Sequence, residues 1–152
     1  MYLLLYVDDI IIAGDDYEKV SELKKELMNQ FRMKDLGNLH SFLGVNMVRT
    51  EDEIKLSQST YLKKLLKRFG MEECRPVKTP IELKPDLHED AEITDTSRPY
   101  RELVGCLMYV MLTTKPNLSV TVNYFSRHQN RQTEKLWNGL KHVLRYTYKR
   151  YS

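Results

Sequence analysis

At 152 residues the chain has room for one ordinary domain or two small lobes, and 41% hydrophobic with 30% charged residues fits a globular protein and excludes disorder over the whole length. No apolar run reaches the roughly 18 residues that a membrane span needs. The net charge of +3 is small, but its distribution is uneven: Lys115 to Arg150 holds eight Lys or Arg and one acid, Glu134, whereas Glu82 to Asp95 holds six acids and one Lys. A basic carboxy-terminal third points to a polyanionic partner, or to no more than solvated helix faces.

The first stretch, Met1 to Val7, is apolar, lacks a basic leader and is stopped by two aspartates, so it reads as a buried strand rather than a signal peptide. Such a strand is normally covered on both faces, so further sequence is expected upstream. Leu3-Leu4-Leu5-Tyr6-Val7 and Ile10-Ile11-Ile12-Ala13 predict a hairpin with Asp8-Asp9 as its two-residue tip. Asp15-Asp16 then offer an N-cap to a helix whose stripe is Val20, Leu23, Leu27, Met28 and Phe31, packed on the hairpin.

Leu39 to Arg49 reads as a strand, Thr50 to Glu53 as a polar turn, and Ile54 to Leu56 as the return strand. Ser57 is the expected cap of a helix with apolar positions Tyr61, Leu62, Leu65, Leu66 and Phe69 and with Gly70 as its stop. The opposite face carries Lys63, Lys64, Lys67 and Arg68. Cys74 to Pro99 collects four of the five prolines and the acidic cluster, a linker composition. Three helices are predicted after it: Tyr100 to Thr113, Leu118 to Arg127, and Glu134 to Arg150 with Thr133 as cap. Trp137, Leu140 and Leu144 form a core stripe on the last.

Cys74 and Cys106 have no metal-ligand spacing, and His40, His88, His128 and His142 suggest neither a metal site nor a triad. Two distant thiols without a signal peptide read as reduced residues of an intracellular protein. The adjacent carboxylates Asp8 and Asp9 are the candidate chemistry. Like charges side by side in a frame of Leu, Val and Ile repel, and a pair of divalent cations removes that cost. Hard carboxylate oxygens suit Mg²⁺, and two such ions serve nucleotidyl transfer. The plainer alternative is a turn built on aspartate.

Tyr6-Val7-Asp8-Asp9 resembles the Tyr-X-Asp-Asp signature of reverse transcriptases. The pattern of copia-type LTR retrotransposon polymerases continues in order through Phe31-Arg32-Met33-Lys34-Asp35-Leu36-Gly37, Phe42-Leu43-Gly44-Val45 and Leu56-Ser57-Gln58-Ser59. It goes on through Tyr61, Phe69-Gly70-Met71 and Tyr100-Arg101-Glu102-Leu103-Val104-Gly105-Cys106-Leu107-Met108-Tyr109. The resemblance implies an α+β fold: a partial antiparallel palm sheet with a palm helix and primer-grip hairpin over residues 1–73, a linker over 74–99, and a helical thumb or connection over 100–152. It implies RNA-directed DNA polymerase parentage, with two Mg²⁺ in the intact enzyme, a template-primer duplex and deoxynucleotides as partners, and no membrane.

Carried onto this sequence, Asp8 and Asp9 resemble the metal-binding catalytic carboxylates, and Tyr6 and Val7 the residues under the primer terminus. Phe42, Leu43, Gly44 and Val45 resemble the primer-grip block. A glycine within a helix costs about 1 kcal/mol against alanine, so Gly105 asks for a close approach. By resemblance it admits the minor groove of the duplex, with Tyr109 presenting an aromatic edge. On the residues alone, internal packing by Gly105 and Tyr109 explains them equally.

The family implies a further catalytic Asp and the fingers upstream, and an RNase H domain downstream in the Pol polyprotein. Residues 1–152 are therefore expected to be a fragment, inactive in isolation. Thr114-Lys115-Pro116-Asn117 departs from the usual Arg-Pro-Asp, and Tyr146-Thr147-Tyr148-Lys149-Arg150 from the usual Leu-Lys-Gly, which puts a following RNase H frame in question. Two other readings stand beside the enzyme fragment: a sequence-independent nucleic-acid-binding module and a non-functional transposon relic.

Overall fold

The computed structural model describes residues 1–81, 98–130 and 132–148. Among them it is a mixed α and β chain with two small antiparallel sheets and five α-helices. It divides into two compact units, Met1–His40 and Ser41–Ser152.

In the first unit, β1 (Tyr2–Tyr6) pairs antiparallel with β2 (Asp9–Ala13), in register from Tyr2 opposite Ala13 to Tyr6 opposite Asp9. The tip is therefore Val7-Asp8, one residue earlier than the expected Asp8-Asp9. This register sets Leu3, Leu4 and Leu5 opposite Ile12, Ile11 and Ile10, whereas the expected tip would leave one such Leu–Ile pair. Cross-strand aliphatic pairs are the unit of stabilisation in a hairpin, and they select the register. Helix α1 (Tyr17–Gln30) begins where Asp16 accepts hydrogen bonds from the Glu18 and Lys19 amides at 3.0 and 3.2 Å. Asp16, rather than Asp15, is the cap. Val20, Leu23 and Leu27 are half-buried, but Met28 and Phe31 are exposed, so the stripe is shorter than predicted, and α1 has no fully buried residue. Phe31 has left the helix for an extended conformation.

In the second unit, β3 (Ser41–Phe42), β4 (Val45–Arg49) and β5 (Ile54–Ser57) form an antiparallel meander. The single strand expected over Leu39 to Arg49 is instead a hairpin, because Leu43 (φ 49°) and Gly44 (φ 81°) both turn left-handed between Phe42 and Val45. Two successive positive φ values are the mark of a tight two-residue hairpin turn, and glycine supplies one of them without steric cost.

Helix α2 (Ser59–Arg68) takes Gln58 as its N-cap, without a side-chain capping bond, while Ser57 stays in β5. Gln58 is fully buried, and its Oε1 accepts from Thr114 Oγ1 at 2.6 Å. The helix ends at Gly70 (φ 63°), as predicted. The Gly70 amide donates to the Lys67 carbonyl at 3.1 Å and the Met71 amide to that of Leu66 at 2.8 Å, which satisfies two otherwise orphaned carbonyls.

Residues 74–81 run beside the last helix: Arg145 Nε donates to the Arg75 carbonyl at 2.9 Å, and His142 Nε2 lies 2.8 Å from the Thr79 oxygen. The rest of the expected linker, 82–97, lies outside the described residues. Helices α3 (Tyr100–Thr113), α4 (Ser119–Ser126, entered through a 3-10 turn over Pro116–Leu118) and α5 (Glu134–Tyr148) follow. Thr133 Oγ1 accepts from the Leu136 amide at 3.2 Å at the start of α5.

Leucines of α2 pack with Leu103, Leu107 and Val110 of α3, Phe125 of α4, and Leu140 and Leu144 of α5 in one hydrophobic core. Tyr100 is fully buried and donates to the Phe125 carbonyl at 3.0 Å. Trp137 packs edge-on against Phe69 with centroids 6.4 Å apart, on the core side as predicted.

Candidate functional site

The sequence-predicted residues divide between the two units. Tyr6, Val7, Asp8 and Asp9 lie in the first; Phe42 to Val45, Gly105 and Tyr109 lie in the second. At the tip of the first hairpin, Val7 adopts φ 52° while Asp8 does not turn positive. That sign pattern belongs to a type II′ turn, whose first position favours glycine. A β-branched residue there is strained. Asp8 occupies the turn itself, and Asp9 opens β2 opposite Tyr6, so Tyr6 and Asp9 share a face of the hairpin.

Both carboxylates are exposed, and neither side chain has a hydrogen-bond or ion-pair partner among the described residues. Their oxygens are thus free to receive a hard divalent cation without displacing a protein group, and the donor chemistry fits Mg²⁺. Among the described residues, no group of three or more His, Cys, Asp or Glu comes together in a metal-holding arrangement.

In the second unit the expected residues are drawn together. The Tyr109 hydroxyl donates to the Leu43 carbonyl, tying α3 to the left-handed turn of the β3–β4 hairpin. Tyr61 of α2 completes the cluster. Its ring meets that of Tyr109 edge to face, 5.1 Å between centroids and 79° between planes, and a Cβ placed on Gly44 would lie 3.5 Å from Tyr61 Cδ2. Burial, with the Cys106 thiol beside it, pushes the Tyr61 phenol well above its ordinary pKa and keeps it neutral. Gly105, one turn before Tyr109, is exposed, and a Cβ there would meet nothing within 4 Å. It relieves no contact inside the chain among the described residues.

The glycine that does admit a neighbour is Gly139 of α5, where a Cβ would lie 2.7 and 2.9 Å from Phe125 Cζ and Cε1. Glycine inside a predicted helix, the signal that singles out Gly105 in the sequence, marks Gly139 as well. Lys115 belongs to the basic carboxy-terminal third, yet it is buried, and its Nζ donates to the Thr147 carbonyl at 2.7 Å. A cation at the end of α5 complements the carbonyl-rich terminus. It anchors the helix and is withdrawn from any surface. Lys141 lies over the Trp137 ring at 5.6 Å, and Arg145 is held by the Arg75 carbonyl. Arg131, Lys149 and Arg150 lie outside the described residues.

Among the described residues no helix is long and apolar enough to cross a membrane. No solved structure matches the chain.

The family model described as reverse transcriptase (RNA-dependent DNA polymerase) matches residues 1–83. The chain is 38% identical over 148 residues to the retrovirus-related Pol polyprotein from transposon RE2 of Arabidopsis thaliana, covering 96% of this chain and 10% of that protein. It is 37% identical over 153 residues to the Pol polyprotein from transposon TNT 1-94 of Nicotiana tabacum, covering 95% and 12%. An uncharacterized mitochondrial protein of Arabidopsis thaliana is 37% identical over 146 residues, covering 96% and 60%. The chain thus spans about a tenth of the Pol polyproteins and three-fifths of the mitochondrial protein. With the Tyr6-to-Asp9 hairpin inside the matched region, the chain belongs to the reverse transcriptase family, and it is similar to the Pol polyproteins of copia-type retrotransposons.

Proposed function

We propose that residues 1–152 are the part of a copia-type RNA-directed DNA polymerase that runs from the catalytic turn of the palm through the primer grip into the thumb. The observation that carries this reading is the first hairpin: a strained left-handed Val7 presents Asp8 in the turn and Asp9 at the strand edge, both without a protein partner among the described residues. Asp8 and Asp9 would hold the divalent ions, whose chemistry when bound is to activate the primer hydroxyl and stabilise the leaving pyrophosphate. Tyr6 shares a face with Asp9 and would support the primer terminus beside Val7. Phe42 to Val45 form the primer grip, and the Tyr109 bond to Leu43 holds the grip's turn against the thumb helix.

Exposed Gly105 favours a duplex lying along α3, because the helix bears the cost of glycine there and gains no internal contact from it. The template-primer is the partner, with deoxynucleotides and the rest of the Pol polyprotein joining it in the intact enzyme. Synthesis is assigned to the polymerase that contains this segment and not to these 152 residues by themselves.

The test is Asp8→Asn in such a polymerase. The change keeps size and removes charge, so primer extension should be lost while template-primer affinity stays within about twofold. Near-normal extension by that variant would remove the metal assignment.

A further inference from the structure

We infer that the exposed face of α2, carrying Lys63, Lys64 and Lys67, is a phosphate-binding surface for the nucleic-acid strand that passes over Gly105. The inference rests on the proposed duplex-gripping role of α3 and extends it to a second helix. Two contacts fix how the helices lie. Tyr61 packs on Tyr109 with centroids 5.1 Å apart, and Arg68 pairs with Glu102. Each pair is seven residues from the other on both helices, so α2 and α3 run antiparallel over about 10 Å. Lys64 falls midway between Tyr61 and Arg68, as Gly105 and Cys106 fall midway between Glu102 and Tyr109. The lysine row therefore stands abreast of the open glycine.

The charge pattern of α2 sets it apart from an ordinary solvated face. Helix α1 interleaves its charges, with Glu18, Lys19, Glu22, Lys24, Lys25 and Glu26 in close succession. Helix α2 has no acid at all. Lys63 and Lys67 are four residues apart and Lys64 and Lys67 three, and like charges at these spacings destabilise a helix. Basic residues in the last turn complement the helix dipole, which accounts for Lys67 and Arg68 but not for Lys63 and Lys64 near the middle. Arg68 is engaged by Glu102, whereas the three lysines are exposed and without a partner among the described residues. Mutual repulsion held on one face is relieved by a polyanion, and a phosphodiester backbone over Gly105 lies within reach of the same face.

The experiment measures binding of the full 152-residue chain to a labelled 20-base-pair RNA–DNA hybrid across a range of KCl concentrations. The Lys63→Gln/Lys64→Gln/Lys67→Gln variant should bind about tenfold or more weakly at low salt, with a slope of log K against log salt shallower by about 2 to 3. Its thermal midpoint should be equal to or above that of the parent. A control, Lys19→Gln/Lys25→Gln on α1, should keep the parent slope. A parent that binds together with a triple variant whose slope changes by less than one overturns the assignment of this face and leaves the role of α3 standing. Equal loss in the triple variant and the control also overturns it, since net charge alone is then responsible. A parent that does not bind the hybrid removes both readings.

Discussion

The phenol of Tyr109, in the second half of α3, donates its hydrogen bond to the backbone carbonyl of Leu43, 66 residues earlier in the turn between β3 and β4. A turn with two left-handed residues, one of them leucine, is thus held by a side chain from a helix. Tyr109→Phe keeps the ring against Tyr61 and removes the bond, so it should lower stability by about 0.5–1.5 kcal/mol. Gly44→Ala should cost about 1–2 kcal/mol, because a Cβ is forced into the left-handed region at φ 81°. Urea unfolding of both variants checks the pair. A Tyr109→Phe midpoint equal to that of the parent would show that the bond does not hold the turn.

Gly105 and Gly139 offer opposite outcomes for one substitution. Alanine at Gly105 meets nothing within 4 Å and should gain up to about 1 kcal/mol from helix propensity. Alanine at Gly139 drives a methyl to within 2.7 Å of the fully buried Phe125 ring and should cost about 1–3 kcal/mol by overpacking. Thermal midpoints of the two variants should move in opposite directions. Gly105→Leu carries the functional half of the test: folding should persist while duplex affinity falls, because the bulkier side chain blocks the approach of the strand. Unchanged affinity in a stable Gly105→Leu protein would end the groove-tracking role.

The strain at Val7 has its own consequence. Glycine takes φ 52° freely, whereas valine pays about 1–2 kcal/mol for it, offset by roughly 0.5–1 kcal/mol of extra chain entropy lost by glycine. Val7→Gly should therefore slow amide exchange across β1 and β2 by a few-fold. Faster exchange in the variant would mean that the Val7 side chain contributes packing that outweighs its backbone cost.

In the second unit the order of elements was legible because periodicity and punctuation agreed with burial, whereas β1, expected as a buried strand, is exposed along its whole length. Leu62, Leu65 and Leu66 recur at helical spacing and do fill the core, and Gly70 does end α2. The two misplaced turns share one cause, which is competition that local pattern does not contain. Asp-Asp looks like a turn, but three Leu–Ile pairs pull Asp9 into the strand. Leu43-Gly44 sits inside an apolar run that reads as one strand, and the bond from Tyr109 that helps fix the turn comes from a helix far along the chain. The family pattern marks Tyr61 along with the candidate residues of the second unit, but nothing in the local sequence says that Tyr61 packs on Tyr109 and beside Gly44. Lys115 shows the converse: a charge taken for surface is buried because the carbonyl of Thr147 waits for it.

Tyr100 links the core to pH. Burial, with Tyr124 nearby as a lesser influence, pushes its phenol above the ordinary value, and the neutral hydroxyl donates to the Phe125 carbonyl at 3.0 Å. The folded state thus holds this proton more tightly than the unfolded chain, where a tyrosine titrates near pH 10. The stabilisation is complete below about pH 10 and is lost as pH rises beyond it, at up to about 1.4 kcal/mol per pH unit for one phenol. Burial raises Tyr61 and Tyr124 as well, so they add to the same alkaline loss. Tyr100→Phe should cost about 0.5–1.5 kcal/mol at pH 7, since the Phe125 carbonyl loses the phenol but keeps the His128 amide at 3.1 Å. Its deficit against the parent should then shrink between pH 10 and 11.5, because the parent pays for ionising a phenol that the variant lacks. Urea unfolding at pH 7, 9 and 11 reads both quantities. A deficit that stayed constant over that range would show that Tyr100 does not couple proton binding to folding.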